Sequence, residues 1–186
     1  TWPTALFFVV IAFLLACTGA PPAEEPAEPV ILATSFPAFY LAQRLAPGLD
    51  VRCILPPGED PPDWQPDGAL IASIAEADLI VANGAGYEAW MKTAALPERR
   101  VVDLSAGIAP IHLEGETHSH GVGGEHSHAG LDPHTWLDPL NYSDQAAVLA
   151  GRLEGLSPDA PAQLATLQAE LTTLHEGYAA ALTDPR

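Results

Sequence analysis

Positive charge is scarce in this sequence. Seven lysines and arginines stand against 24 aspartates and glutamates, for a net charge of -17. A surface of this sign repels nucleic acid and anionic lipid, so nucleic-acid partners are excluded. Cysteine is also scarce, with only Cys17 and Cys53 in the chain. If Cys17 is taken by export processing, Cys53 has no partner for an internal disulfide, and we expect it to be a buried small residue on a strand.

Two catalytic motifs are missing. No G-x-x-x-x-G-K-[ST] run is present, so the glycines at 84 and 86 do not form a phosphate loop and predict a tight turn after a strand. No H-E-x-x-H run is present either, which argues against a zinc hydrolase with an open coordination position and a general base. We therefore predict that the protein is not an enzyme.

No apolar run is long enough to cross a membrane. The longest, Ala5–Ala16, would span about 18 Å as a helix, against a hydrocarbon core of about 30 Å. Its length suits an export signal, and the absence of a basic segment or initiator methionine leads us to expect an incomplete amino terminus. The run ends in L-L-A-C and resembles a bacterial lipobox, which predicts a signal over residues 1–17 and a lipid anchor on Cys17. The alternative is ordinary cleavage near Ala20.

Beyond the anchor, residues 18–29 are rich in proline and glutamate and predict an extended tether. From residue 30 onward, short apolar runs alternate with helical patterns. This alternation predicts an α/β fold, with one parallel-sheet lobe covered by helices over residues 30–156. The predicted strands cover 30–33, 51–55, 79–82 and 101–104. The predicted helices cover 38–46, 67–75, 87–95 and 143–153. A long connecting helix is predicted over 157–184, because leucines recur every three or four residues there.

Histidine is concentrated in one segment. Five of the seven histidines lie between residues 118 and 134. Neutral imidazole suits borderline divalent ions such as zinc. The first four, in a glycine-rich loop over 112–130, predict weak and exchangeable metal binding or no role at all; they are His118, His120, His126 and His128. The fifth, His134, lies in D-P-H-T-W-L-D-P, where Pro133 and Pro139 stiffen the chain. Asp132 and Asp138 either orient His134 or cap neighbouring turns.

Three runs carry a resemblance to a known family. They are P-P-G-E-D-P at 56–61, E-A-D-L-I-V-A-N-G-A-G-Y-E-A-W at 76–90, and D-P-H-T-W-L-D-P at 132–139. Together with the histidine loop, they resemble the zinc and manganese substrate-binding lipoproteins of bacterial ABC importers. The resemblance implies two α/β lobes joined by one long helix, with the metal between them. It also implies that this sequence holds the first lobe and the helix, with the second lobe missing.

The resemblance assigns a direct metal ligand to His134. A second histidine normally follows the G-x-D-P run, but here Pro62 stands in its place and cannot ligate through its side chain. Possible substitutes are Asp60, Asp63, Glu88 or one of the loop histidines. The expected function is an extracytoplasmic receptor for Zn²⁺, or alternatively Mn²⁺, tethered to the membrane through its lipid and delivering the ion to an ABC importer permease. A monomer is expected. The alternatives are a metal buffer or chaperone without a transporter, or an exported zinc hydrolase.

Overall fold

A parallel four-stranded sheet forms the centre of the protein. The computed structural model describes residues 28–109, 111–113, 117–119, 125–127 and 130–183. The predicted signal, the anchor Cys17 and the tether as far as residue 27 lie outside the described residues. The strands are β1 (Val30–Ala33), β2 (Asp50–Cys53), β3 (Leu79–Ala82) and β4 (Val101–Asp103), and their order is β2-β1-β3-β4. All three pairings are parallel. The predicted α/β class is confirmed.

Helices cover both faces of this sheet. The main helices are α1 (Phe36–Leu45), α2 (Gly68–Ala75), α3 (Pro139–Arg152) and α4 (Ala160–Thr183). Alternate strand residues point to opposite faces. On one face, Ile31 and Val81 pack in a core with α1, α3 and α4. On the other, Leu32 and Ile80 pack with Ile74 of α2 and with two tryptophans, Trp64 and Trp90. The sheet is therefore buried between two helical layers, as parallel sheets require.

Two helices start three or more residues away from their predicted starts. Helix α3 begins at Pro139, four residues before the predicted start, because Asp138 caps it by accepting from the Leu140 amide at 2.8 Å. Proline is well suited to the first helical position, where no amide partner is needed. Helix α4 begins at Ala160 instead of next to Ser157. Ser157 is buried and its hydroxyl donates to the Leu45 carbonyl at 3.4 Å, so it ties the turn to α1.

The predicted helix over 87–95 is wrong, since the chain forms only a 3-10 turn over Ala89–Lys92. Glu88 has a non-helical backbone because its side chain reaches back to the amides after β3. The long stretch after β4 also contains more regular structure than predicted. Strands β5 (His112–Leu113) and β8 (Gly130–Leu131) pair antiparallel, as do β6 (Thr117–Ser119) and β7 (Glu125–Ser127).

The long final helix is confirmed, with 24 residues in α4. Its first half packs on the lobe through Leu167 and Leu171, both buried. Arg44 of α1 adds an ion pair, with one guanidinium nitrogen 2.9 Å from both carboxylate oxygens of Glu170. Further along, Leu182 is 87% exposed. None of the helices in the described ranges is long and apolar enough to cross a membrane. Cys53, expected to be buried on its strand, is half-buried on β2.

Candidate metal centre

The candidate site lies at the carboxyl edge of the sheet, between β1 and β3. Strand β2, which follows β1 in the chain, lies on one side of β1, and β3 lies on the other side, so the strand order reverses direction here. Ligands of open α/β sheets bind at such a point, because the loops after the two strands diverge and leave a crevice. The residues that shape it here are Thr34 after β1 and the turn that begins at Asn83 after β3. The motif around His134 packs against that turn.

The turn after β3 depends on left-handed backbone. Gly84, Ala85 and Gly86 have φ values of 82°, 52° and 78°. A Cβ on Gly84 would stand 1.7 Å from Oδ1 of Asp103, so only glycine fits that position. The same Oδ1 accepts from the amide and the hydroxyl of Ser105, and Ser105 Oγ accepts from the Ala85 amide at 2.9 Å. The predicted tight turn is observed, and these bonds attach it to β4.

Glu88 anchors the same turn from inside. Its side chain is only 4% exposed. Oε1 accepts from the Thr34 hydroxyl at 2.5 Å and from the Asn83 amide at 2.8 Å, and Oε2 accepts from the Gly84 amide at 3.2 Å. Burial raises the pKa of Glu88 above its usual value, although these hydrogen bonds act in the opposite direction. Glu88 therefore joins the ends of β1 and β3.

Asn83 connects this turn to the histidine motif. Its side-chain amide donates to the Pro133 carbonyl at 2.8 Å, across 50 residues of sequence. The following buried Thr135 accepts from the Gln145 side chain of α3 at 2.8 Å. The residues on both sides of His134 are thus attached to the lobe, Pro133 to the turn after β3 and Thr135 to α3. Such fixing is what a preorganised ligand needs.

Asp132 sets the direction of the His134 ring. Its Oδ1 lies 2.7 Å from His134 Nδ1 and also accepts from the His134 amide at 2.9 Å. The Asp132 amide in turn donates to the Ile111 carbonyl at 2.8 Å, at the base of the histidine loop. Of the two roles left open by sequence, Asp132 therefore orients His134, whereas Asp138 caps α3. An aspartate on Nδ1 would leave Nε2 as the nitrogen through which His134 could bind a metal.

His134 lines an open groove of about 360 Å³ together with Gly58, Glu59, Asp60, Tyr87 and Trp136. Two aromatic rings support the imidazole, with centroids 5.9 Å away for Tyr87 and 5.2 Å away for Trp136. Burial raises the pKa of the Tyr87 phenol, and the negative charges of Asp60 and Glu88 raise it further. Tyr87 therefore stays a neutral phenol at pH 7. Of the described residues that line the groove, none is lysine or arginine.

The structure brings two of the sequence candidates together, His134 and Asp60, in this groove. Glu88 lies beneath the turn, where its oxygens accept from Thr34 and backbone amides. Asp63 is exposed and is not among the residues lining the groove. His118 pairs with His126 across the β6–β7 ladder. His120, His128 and Cys17 lie outside the described residues.

Glu59 and Tyr87 also contribute to the groove, and sequence reasoning did not assign them to it. Tyr87 and Glu88 adjoin on the chain, and nothing in their spacing shows which one faces the groove. Within the described part of the chain, no three His, Cys, Asp or Glu side chains converge as a complete metal site. His134 and Asp60 therefore form at most part of a coordination sphere.

Comparison with known proteins identifies the family. The family described as ZnuA, zinc-uptake complex component A, periplasmic, matches residues 31–185. The chain belongs to this family. The high-affinity zinc uptake system protein ZnuA of Bacillus subtilis is 29% identical over 126 residues, covering 63% of this chain and 40% of that protein. The manganese ABC transporter substrate-binding lipoprotein PsaA of Streptococcus anginosus is 27% identical over 137 residues, covering 68% and 43%. The chain thus spans less than half of either relative.

Solved structures show the same fold. A crystal structure of ZnuA superimposes with a TM-score of 0.64 at 28% identity, over 79% of this chain and 56% of that one. The laminin-binding protein Lmb of Streptococcus agalactiae reaches a TM-score of 0.69 at 22% identity, over 86% and 58%. The second likeness concerns the fold alone. The relatives named for zinc and for manganese match about equally well, so identity does not select the ion.

Proposed function

We propose that this chain is the first lobe of an extracytoplasmic receptor that binds a divalent transition metal and delivers it to an ABC importer. The observation that carries the proposal is the fixed imidazole of His134 in an acidic groove at the switch point of the sheet. The names of the relatives, a zinc uptake protein and a manganese transporter lipoprotein, support transport as the purpose. The metal is cargo, so the protein's work is binding, selection and release, and no reaction is catalysed.

The donor set favours zinc over manganese. Imidazole suits zinc, whereas manganese sites depend more on carboxylates. A carboxylate on Nδ1, as Asp132 provides, makes an imidazole a stronger donor and holds it in one orientation. The remaining ligands would come from a second lobe across the groove, at the far end of α4. Closure of that lobe would remove water from the ion, and opening at the permease would release it.

A lipid on Cys17 and the tether after it would keep the receptor, as a monomer, at the outer face of a bacterial membrane near its permease. Coupling to a permease separates this function from the alternative of a metal buffer or chaperone. Zinc uptake into proteoliposomes that hold the permease should require the complete receptor. Uptake at the same rate without the receptor would favour the buffer.

The metal site itself is tested by titration calorimetry with zinc. We expect His134→Ala to lower zinc affinity far more than deletion of residues 118–128, because the fixed ring holds the ion and the loop captures it only weakly. His175→Ala is the matched control, since His175 lies half-buried on α4 and does not line the groove. If the deletion has the larger effect, or if the control matches His134→Ala, the assignment of the holding site is wrong.

A further inference from the structure

We propose that the Asp60 carboxylate is the second metal ligand of this lobe, taking the place that a histidine would hold at position 62. The proposal rests on the proposed function and adds which group coordinates the ion beside His134. The substrate class it implies is a divalent ion bound by mixed nitrogen and oxygen donors. Such a site discriminates less between zinc and manganese than a site with two imidazoles from this lobe.

The groove selects Asp60 among the acidic candidates. Asp60 and Glu59 line it with His134, whereas Asp63 does not. Glu88 is buried, and both of its oxygens accept hydrogen bonds that hold the turn, so a metal at Glu88 would break the support of the site. Of the two acids that remain, Glu59 is exposed at the rim and Asp60 is half-buried.

The backbone at Asp60 is also fixed. Its carbonyl accepts from the amides of Asp63 at 3.1 Å and Trp64 at 2.9 Å. Trp64 is buried against Trp90, with the two rings edge to face at 6.0 Å. The loop that carries Asp60 is thus attached to the core beneath the sheet. A side chain held in this way loses little conformational entropy when it binds an ion. The longer and exposed Glu59 side chain would lose more.

Tyr87 lines the groove that Asp60 and His134 share. The Tyr87 ring packs against His134, with the ring centroids 5.9 Å apart. Asp60 lines the same groove as this ring pair, so one ion in the groove would lie near both Asp60 and His134. A cation in that groove would neutralise the Asp60 charge and be coordinated by a ring nitrogen of His134, beside the packed rings of Tyr87 and Trp136.

The test measures zinc and manganese affinities by calorimetry on the 186-residue chain. It compares the unaltered protein with three variants, Asp60→Asn, Glu59→Gln and His134→Ala. Asp60→Asn keeps the size of the side chain and removes its charge. A direct ligand should matter at least as much as an orienting partner, so we expect a loss of at least about 10-fold for zinc. The loss should be larger for manganese, which depends more on oxygen donors. Glu59→Gln, the matched control on the same rim, should stay within about twofold of the unaltered chain, well below the loss expected for a ligand.

Failure of this inference differs from failure of the proposed function. If His134→Ala weakens binding and Asp60→Asn does not, the receptor stands and Asp60 is not a ligand. Equal effects of Asp60→Asn and Glu59→Gln would show only a general attraction of cations by negative charge, and would also overturn the inference. If neither His134→Ala nor Asp60→Asn changes binding, both proposals are wrong.

Discussion

Gly84 lies in the turn after β3, beside the candidate metal site, and its replacement by alanine should be costly. The residue has φ 82°, where a side chain costs about 1–2 kcal/mol. The added Cβ would also stand 1.7 Å from Asp103 Oδ1 and 2.5 Å from Ser105 Oγ, so Asp103 would have to move. Moving it breaks its two bonds to Ser105 and loosens the bond between Ser105 and Ala85.

The size of this effect follows from those contacts. Each hydrogen bond contributes about 0.5–1.5 kcal/mol net, and water replaces part of the loss because Asp103 is exposed. Adding about 2 kcal/mol to the backbone term predicts that Gly84→Ala lowers the free energy of unfolding by about 3–4 kcal/mol. Gly48 is the matched control, since it has φ 92° and no atom within 4 Å of an added Cβ. Gly48→Ala should cost only the backbone term, about 1–2 kcal/mol.

Urea unfolding followed by tryptophan fluorescence measures both variants. The difference between them isolates the steric and hydrogen-bond part of the cost, because both pay the same kind of backbone strain. Equal losses at Gly84 and Gly48 would refute the reasoning, since they would show that Asp103 yields without loss. A loss at Gly48 larger than at Gly84 would refute it more strongly.

The remaining predictions concern Asp132, Glu88 and helix α4. Asp132→Asn keeps an oxygen for the His134 amide and removes the negative charge beside the imidazole ring, so zinc affinity should fall about 10-fold. In Asp132→Ala the loss should reach up to about 100-fold. Unchanged affinity in chelator competition would contradict this. The raised pKa of Glu88 means that the folded chain holds its proton more tightly than the unfolded chain, whose pKa is about 4.3. The contribution of Glu88 to stability should therefore decline as pH rises from about 4 through the folded pKa, and Glu88→Gln should remove this decline. If the unaltered chain and Glu88→Gln give parallel curves of unfolding free energy against pH, this prediction is wrong. Leu167→Ala, in the buried half of α4, should lower the free energy of unfolding by about 2–5 kcal/mol in urea. Leu182→Ala, at an exposed position, should lower it by less than about 0.5 kcal/mol. Similar losses in both variants would mean that α4 does not pack as described.

Some elements follow from local pattern, and sequence predicted them well. Short apolar runs such as 79–82 bury on both faces of a parallel sheet, so their composition alone identifies them. Helix α4 is long and periodic, which makes its existence clear, although its start was placed too early. The 87–95 segment was mistaken for a helix because a contact at long range, from Glu88 to Thr34, overrides its local preference.

The histidine motif shows where local pattern stops. Its prolines and His134 mark a stiff candidate ligand in the sequence itself. Yet Asp132 and Asp138 have similar proline neighbours, and only the structure shows that the first holds the imidazole and the second caps α3. The direction of a carboxylate depends on the backbone conformation around it, which for Asp138 is set by the helix that follows.

The amino-acid sequence by itself determined the α/β class and the long helix, because each depends on hydrophobic periodicity along the chain. The motif D-P-H-T-W-L-D-P, through its resemblance to a known family, singled out His134 as the candidate ligand. Only the tertiary structure decided which acids line a groove with that histidine. The order β2-β1-β3-β4 brings the loop after β2 and the turn after β3 to one edge of the sheet. Asp60 reaches the groove there, and Glu88 is buried beneath it, although the sequence offers both as equal candidates.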